Sequence, residues 1–264
     1  MRISSLALLI GASTLFYHAA LGQSPEKHGN NIQTINHAFH SGEKLTYSIS
    51  WSKILQAGVA VMEVKAETTP EGKKTYRITS SAKSVGIVST LYSVRDTVQS
   101  IMEAEGLSSL WFSLDQKHGK RKKHREMTFD HAEGIVRLVT NGQEETFEVP
   151  PRVQDSLSSL YYLRTRQDFS NEKPIVIDVH DAGKNWSVEI QTLGREKLKT
   201  PLGEFDTIKI RTYPKYEGVF MHKGEIFIWL TDDARKVPLL MKSKIAIGSI
   251  IATLTELKQG EEAQ

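Results

Sequence analysis

The side chains of this 264-residue sequence that could do chemistry fall into a few small groups. His37-x-x-His40 could set two imidazoles beside one metal ion, but the stretch around it is polar and supplies no third ligand. No His-Glu-x-x-His stretch occurs, so zincin chemistry has no support. His180-Asp181 precedes Ala182-Gly183, the composition of a hairpin turn, and His180 reads as a solvated turn residue. Ser156, Ser158 and Ser159 lack the Gly-x-Ser-x-Gly elbow that exposes a nucleophile, and the absence of cysteine rules out thiol catalysis. Asp232-Asp233 remains, following Trp229 and close to Arg235. Two carboxylates held roughly 5–10 Å apart serve glycoside hydrolysis. Adjacent acids at a strand end are more often turn formers that accept local N–H groups. No catalytic residue, metal ligand or cofactor is therefore assigned.

Two features point to binding instead. Lys117, Lys120, Arg121, Lys122, Lys123 and Arg125 put six cations into nine residues, with His118 and His124 among them. Such a run is suited to anionic headgroups, each cation contributing on the order of 1 kcal/mol near a charged membrane. Its plainer reading is a solvated hairpin. No aromatic residue interleaves the cations, so base stacking is not supported and nucleic acid is not an expected partner. The second feature is aromatic: Trp51, Trp111, Phe112, Trp186, Phe227 and Trp229 are spread over different strands. They build a core or, in a curved sheet, line an apolar concavity.

The elements that must position these residues are mostly strands. Leu45, Tyr47, Ile49 and Trp51 alternate with polar residues, as do Ala60, Met62, Val64 and Ala66 after Gln56-Ala57-Gly58. Short alternating runs broken by Gly- or Pro-containing turns continue to Leu257 and predict an antiparallel meander. Asn141-Gly142 predicts a tight hairpin, because both central residues of a type I′ turn need positive φ. Helical spacing appears twice. Val85, Val88 and Leu91 predict a helix over Ser84–Tyr92. Leu157, Leu160, Tyr161 and Arg164 predict one over Asp155–Gln167, with Asp155 accepting N–H groups of its first turn.

The N-terminus predicts export. Arg2 precedes a 14-residue uncharged stretch, Ile3 to Phe16, too short to span a bilayer but proportioned as a signal-peptide core. Ala20-Leu21-Gly22 suits cleavage, so residues 1–22 are expected to be a signal peptide and 23–40 a flexible leader. A single β-rich domain is expected over 41–257, with a disordered tail at 258–264. Loss of Arg2 takes the formal net charge from +3 to +2, and without the six clustered cations it would be about −4. The basic character is thus local. With no cysteine, neither disulfides nor a lipobox anchor is available, and stability rests on core burial.

Phe39-His40-Ser41-Gly42-Glu43-Lys44-Leu45-Thr46-Tyr47, with Trp51 and Ala57-Gly58, resembles the opening of the bacterial envelope family catalogued as domain of unknown function 3108. Tyr92-Ser93-Val94-Arg95-Asp96, Asp155 to Arg164, Thr200 to Phe205, Ile228 to Pro238 and Ile247 to Ile250 match it in order. The resemblance implies an exported protein of a Gram-negative envelope, in the periplasm, with no accepted catalytic residues to carry over. It also implies a shape similar to the lipoprotein-carrier proteins, whose curved antiparallel sheets cradle lipid against short helices. The expected fold is mainly β: one strongly curved antiparallel sheet of about ten or more strands, half-barrel-like, with two short helices near its concave side. The expected function is non-catalytic binding or carriage of a hydrophobic or amphipathic envelope component, lined by Trp51, Tyr92, Tyr161 and Trp229. A lipid or an envelope protein is the expected partner, and the basic run would meet an anionic membrane. The alternatives are a glycan-processing hydrolase using Asp232 or Asp233, and a scaffold for an envelope complex.

Overall fold

The computed structural model describes residues 36–52, 54–170, 172–216, 219–220, 225–244 and 248–261. The expected signal peptide and most of the leader lie outside the described residues. From the N-terminus the elements begin with β1 (Lys44–Trp51), β2 (Leu55–Thr68), β3 (Lys74–Ser84), α1 (Gly86–Leu91), β4 (Val94–Glu103) and β5 (Ser109–His118). Then come β6 (Arg121–Asp130), β7 (Ile135–Thr140), β8 (Gln143–Glu148), α2 (Ser158–Arg164), β9 (Ile175–Asp181) and β10 (Lys184–Thr200). The last are β11 (Gly203–Tyr216), β12 (Val219–Phe220), β13 (Ile226–Thr231), β14 (Pro238–Lys244) and β15 (Ser249–Lys258). None of the described helices is long and apolar enough to cross a membrane.

The strands form one antiparallel sheet in the order β8-β7-β6-β5-β4-β3-β2-β1-β15-β14-β13-β11-β10-β9, with β12 beside β11. The first and last strands meet at its centre, paired from Lys44 opposite Lys258 to Trp51 opposite Ile250. The two edges, β8 and β9, are consecutive in the chain. The sheet is therefore an up-and-down barrel left open at one seam, the expected half-barrel. Period-two burial explains each strand: Leu45, Tyr47 and Ile49 are buried while their neighbours are not. Irregular register between Thr46 and Tyr47, Ile101 and Met102, Thr192 and Gly194, and Trp229 and Leu230 adds the local twist that curves such a sheet.

Two hairpin turns carry positive φ at both central residues, Asn141 and Gly142 (50° and 86°) and Ala182 and Gly183 (52° and 77°). The second lies against the seam. Gly183, at φ 77°, packs closely against the end of β8: a Cβ there would come within 2.8 Å of Phe147 Cζ, so a larger residue would have to displace that ring. Asn185 Nδ2 donates to Glu148 O at 2.8 Å across the same gap.

The strand ends define two rims. The base holds Lys44, Glu103, Ser109 and Thr231; the mouth holds Trp51, Ser84, Val94 and His118. After β8 the chain crosses the base. Gln154 pairs in parallel with the β9 edge, accepting from His180 N and donating to Asp178 O. α2 follows on the concave side.

Several expectations change. Both helices are shorter than their apolar spacing suggested. The spacing at Val85, Val88 and Leu91 does not mark a buried stripe, since α1 sits at the mouth and buries none of its residues. Ala38 and Phe39, expected in a flexible leader, are each 1% exposed, with Phe39 edge-on to Tyr76 and Tyr161. At the other end Glu261 N donates to Ser41 O, so the tail remains ordered to Glu261 among the described residues.

Candidate functional site

Two buried charged groups fix α2 as the floor of the barrel. Asp155, fully buried, accepts the N–H groups of Leu157 and Ser158 at 2.7 and 2.8 Å, which turns the chain into the helix. Its other oxygen accepts the Ser100 hydroxyl of β4 at 2.6 Å and the Ser109 hydroxyl of β5. Burial pushes its carboxyl up, opposed by the Ser100 and Ser109 hydroxyls and the two backbone N–H groups. Arg164, at the far end of α2, donates from Nη1 and Nη2 to the two carboxylate oxygens of Glu43, both at 2.7 Å. It also donates to Ala38 O at 3.0 Å and Arg235 O at 3.2 Å, and stacks over Tyr161 and Phe39. One guanidinium thus ties the segment leading into β1, α2 and the β13–β14 turn together.

Above this floor lies a cavity of about 240 Å³. Leu157, just before α2, and Leu160 and Leu163 within it form one side. Inward residues of β1–β3, β9–β11 and β13–β15 form the rest, among them Ile49, Met62, Ile177, Ile228 and Met241. Trp186, Pro214 and Ile226 continue the lining, and Asp181 at the end of β9 is its charged member. Asp181 accepts from Arg125 Nη2 at 2.6 Å, and both side chains are almost wholly buried. An apolar concavity with a polar group at one end is suited to a chain-like hydrophobic group.

The four aromatic residues expected to line this space do not. Tyr161 is buried on the side of α2 that faces Phe39. Trp229 points to the convex face, where its Nε1 donates to Glu196 at 2.5 Å and Lys209 stacks over its ring. Tyr92 stands at the mouth beside His118, and Trp51, 42% exposed, stands there beside Gly248. Trp186 is the tryptophan that does line the cavity. Ile226, Ile228 and Leu230 face inward while Phe227 and Trp229 face out, and two apolar faces on one strand leave its orientation ambiguous from local pattern.

The other groups separate cleanly. Asp233 is a turn former: its carboxylate accepts the Thr231 hydroxyl at 2.6 Å, Arg235 N at 3.0 Å and Lys236 N at 3.2 Å. Burial would raise its carboxyl, but the Thr231 and Arg235 bonds hold it below the usual range. Asp232 pairs with Arg195 at 2.8 Å, and neither acid reaches the cavity. His180 is not solvated: it is fully buried, bonded to Asn185 at 2.7 Å and packed by Phe147 and Phe129. Ser158 Oγ accepts from Asp155 N, a local backbone role. Among the described residues no three His, Asp or Glu side chains cluster to hold a metal.

The basic run forms the β5–β6 hairpin at the mouth, and its six cations divide. Lys117, Lys120, Arg121 and Lys122 are exposed. Arg125 is buried against Asp181, and Lys123 is half-buried, its ammonium disfavoured by burial and by Arg125. Neither of these two belongs to an external surface. Counting back by two from buried Phe129 and Met127 reaches Arg125 and Lys123, a signal the sequence did carry.

No curated protein matches the chain. Among solved structures, the β-barrel-like protein of domain of unknown function 1849 from Brucella abortus shares the fold, with a TM-score of 0.56 at 9% identity, covering 85% of this chain and all of that one. A protein from Bacteroides fragilis described as exported, with a YmcC-like fold, gives 0.38 at 9% identity over 84% and 98% of the two chains. One from Parabacteroides distasonis described as a lipoprotein gives 0.37 at 11% identity over 87% and 100%. The model of the family described as protein of unknown function DUF3108 matches residues 46–255, and the chain belongs to that family.

Proposed function

We propose that this protein is a non-catalytic carrier of the periplasm that takes the hydrophobic portion of an amphipathic envelope component into the cavity between α2 and the curved sheet. The observation that carries this reading is the cavity itself: an aliphatic space of about 240 Å³, kept apart from core packing by a helix anchored through Asp155 and Arg164. The space is a concavity with a predominantly apolar lining, the form that takes up a hydrophobic group. The residues with catalytic potential are engaged elsewhere, Asp233 in its turn and Asp232 in an ion pair with Arg195.

The test is uptake of a fluorescent fatty-acid analogue by delipidated protein. Wild type is expected to bind saturably, with a change in emission from Trp186 in the cavity wall. Replacing Ala60 and Ala252, which line the cavity on β2 and β15, by Phe should fill the space and abolish uptake while the protein stays folded. Trp229→Ala, on the convex face, should leave uptake unchanged. Saturable uptake by the filled variant, or none by wild type, refutes the reading. A protein partner recovered in stoichiometric amount in place of lipid supports a scaffold instead.

A further inference from the structure

The register of β3 to β6 assembles a feature that no single stretch of the chain contains. Lys83 lies opposite Arg95, Arg95 opposite Lys117, and Lys117 opposite Lys122. The four cations form one rung across four adjacent strands, all exposed on the convex face close to the mouth. Neighbouring strands are about 4.8 Å apart, so the rung is roughly 14 Å long. Like charges placed directly opposite on a sheet repel, and the repulsion is ordinarily relieved by acids on flanking positions. Here the nearby acids are already engaged. The next rung on the same face is Ser81, Thr97, Asp115 and His124. Its one acid, Asp115, pairs with His124 at 2.8 Å, while Asp96 and Asp181 are buried on the other face against His118 and Arg125. Lys120 and Arg121 extend the charge around the hairpin tip.

Beside this rung stands α1, which links Lys83's strand to Arg95's. Two of its apolar side chains point into solvent: Ile87 is 70% exposed and Leu91 81%. Ile54, in the adjoining β1–β2 turn, is 89% exposed. Ser93 O accepts Gly119 N at 2.8 Å, which holds the C-terminal end of α1 against the basic hairpin. Apolar prongs flanked by cations are the chemistry of a surface that sits at a lipid–water boundary. An acidic soluble partner would match the rung but leaves the prongs unexplained.

We propose that the mouth of the barrel docks on an anionic phospholipid bilayer, with Ile54, Ile87 and Leu91 entering the headgroup region and the Lys83–Arg95–Lys117–Lys122 rung at phosphate level. The surface replaces the linear basic run as the contact: Lys83 and Arg95 join it, while Lys123 and Arg125 leave it. The proposal is independent of what the cavity holds, because vesicle binding is read without any loaded ligand.

The experiment is co-sedimentation of the full chain with vesicles of phosphatidylcholine containing about one-third phosphatidylglycerol, against phosphatidylcholine alone. Wild type is expected to bind the anionic vesicles and to weaken as salt rises from about 0.05 to 0.5 M. Each cation lost should weaken binding about fivefold, so the quadruple variant Lys83→Gln, Arg95→Gln, Lys117→Gln, Lys122→Gln should lose at least a hundredfold. Its melting temperature should equal or exceed that of wild type, since a repulsive rung has been removed. Ile87→Asp with Leu91→Asp should also abolish binding, and both positions are exposed enough to leave the fold intact. Unchanged binding by either variant, or none by wild type, overturns the proposal. So does salt-sensitive binding to an acidic protein or polyanion that ignores Ile87 and Leu91, which identifies a general anion exchanger.

Discussion

Replacing Glu43 by Ala tests whether α2 is held as a floor or merely rests on the sheet. The substitution removes both 2.7 Å bonds to Arg164 and leaves a guanidinium that is 0% exposed with no carboxylate. Breaking a buried pair by deleting one partner costs about 3–5 kcal/mol, because the surviving charge stays out of water. Arg164 keeps the carbonyls of Ala38 and Arg235 and the faces of Tyr161 and Phe39, so the lower end, about 3 kcal/mol, is expected. For a domain of this size that lowers the melting temperature by about 6–12 °C. It is also a large share of the roughly 5–15 kcal/mol by which domains are stable. Arg164→Met alone strands the Glu43 carboxylate and should cost a similar amount. Glu43→Leu combined with Arg164→Met removes both charges at similar volume and should recover to within about 1 kcal/mol of wild type. Urea unfolding followed by circular dichroism gives all the values, and with Glu43→Leu alone as the fourth corner the cycle isolates the pair. A Glu43→Ala cost under about 1 kcal/mol, or a double variant as damaged as the sum of the singles, refutes the latch. Fatty-acid uptake by Glu43→Ala should fall in parallel, since the cavity loses its fixed wall.

Asp155 makes a pH-dependent prediction. Its folded carboxyl is raised by burial, so within the window between its unfolded and folded values the native state binds more protons, and stability falls as pH rises through that window. Asp155→Asn should flatten this part of the stability–pH profile, and a profile identical to wild type would count against the assignment. Asp155→Ala should cost about 2–4 kcal/mol at neutral pH, from the lost N–H acceptor and two buried serine hydroxyls left without it. The adjacent acids should differ: Asp233→Ala should cost about 1–2 kcal/mol through its turn bonds. Asp232→Ala, which breaks one surface pair with Arg195, should cost under about 0.5 kcal/mol by thermal melt. Equal costs would mean that the turn does not depend on Asp233.

Features that depend on neighbours within a few positions were legible before folding. Alternation at Leu45, Tyr47 and Ile49 specified a half-buried strand, because a strand shows one face every second residue. Asn141-Gly142 specified its turn through the φ angles it tolerates, and Asp155 its helix entry through a carboxylate within reach of two N–H groups. Tertiary structure decided what depends on which strands meet. β1 pairs with β15, about 200 residues away, and only that pairing bends the meander around an interior. On β13 both faces are apolar, so packing alone chose Ile228 for the cavity and Trp229 for the convex face. The basic run looked like one linear patch. Period-two geometry turned Lys123 and Arg125 inward, and cross-strand register brought in Lys83 and Arg95 from about 20 to 40 positions earlier in the chain. Charge along a strand is read residue by residue, but a charged surface is laid out across strands, and register is a property of the folded sheet.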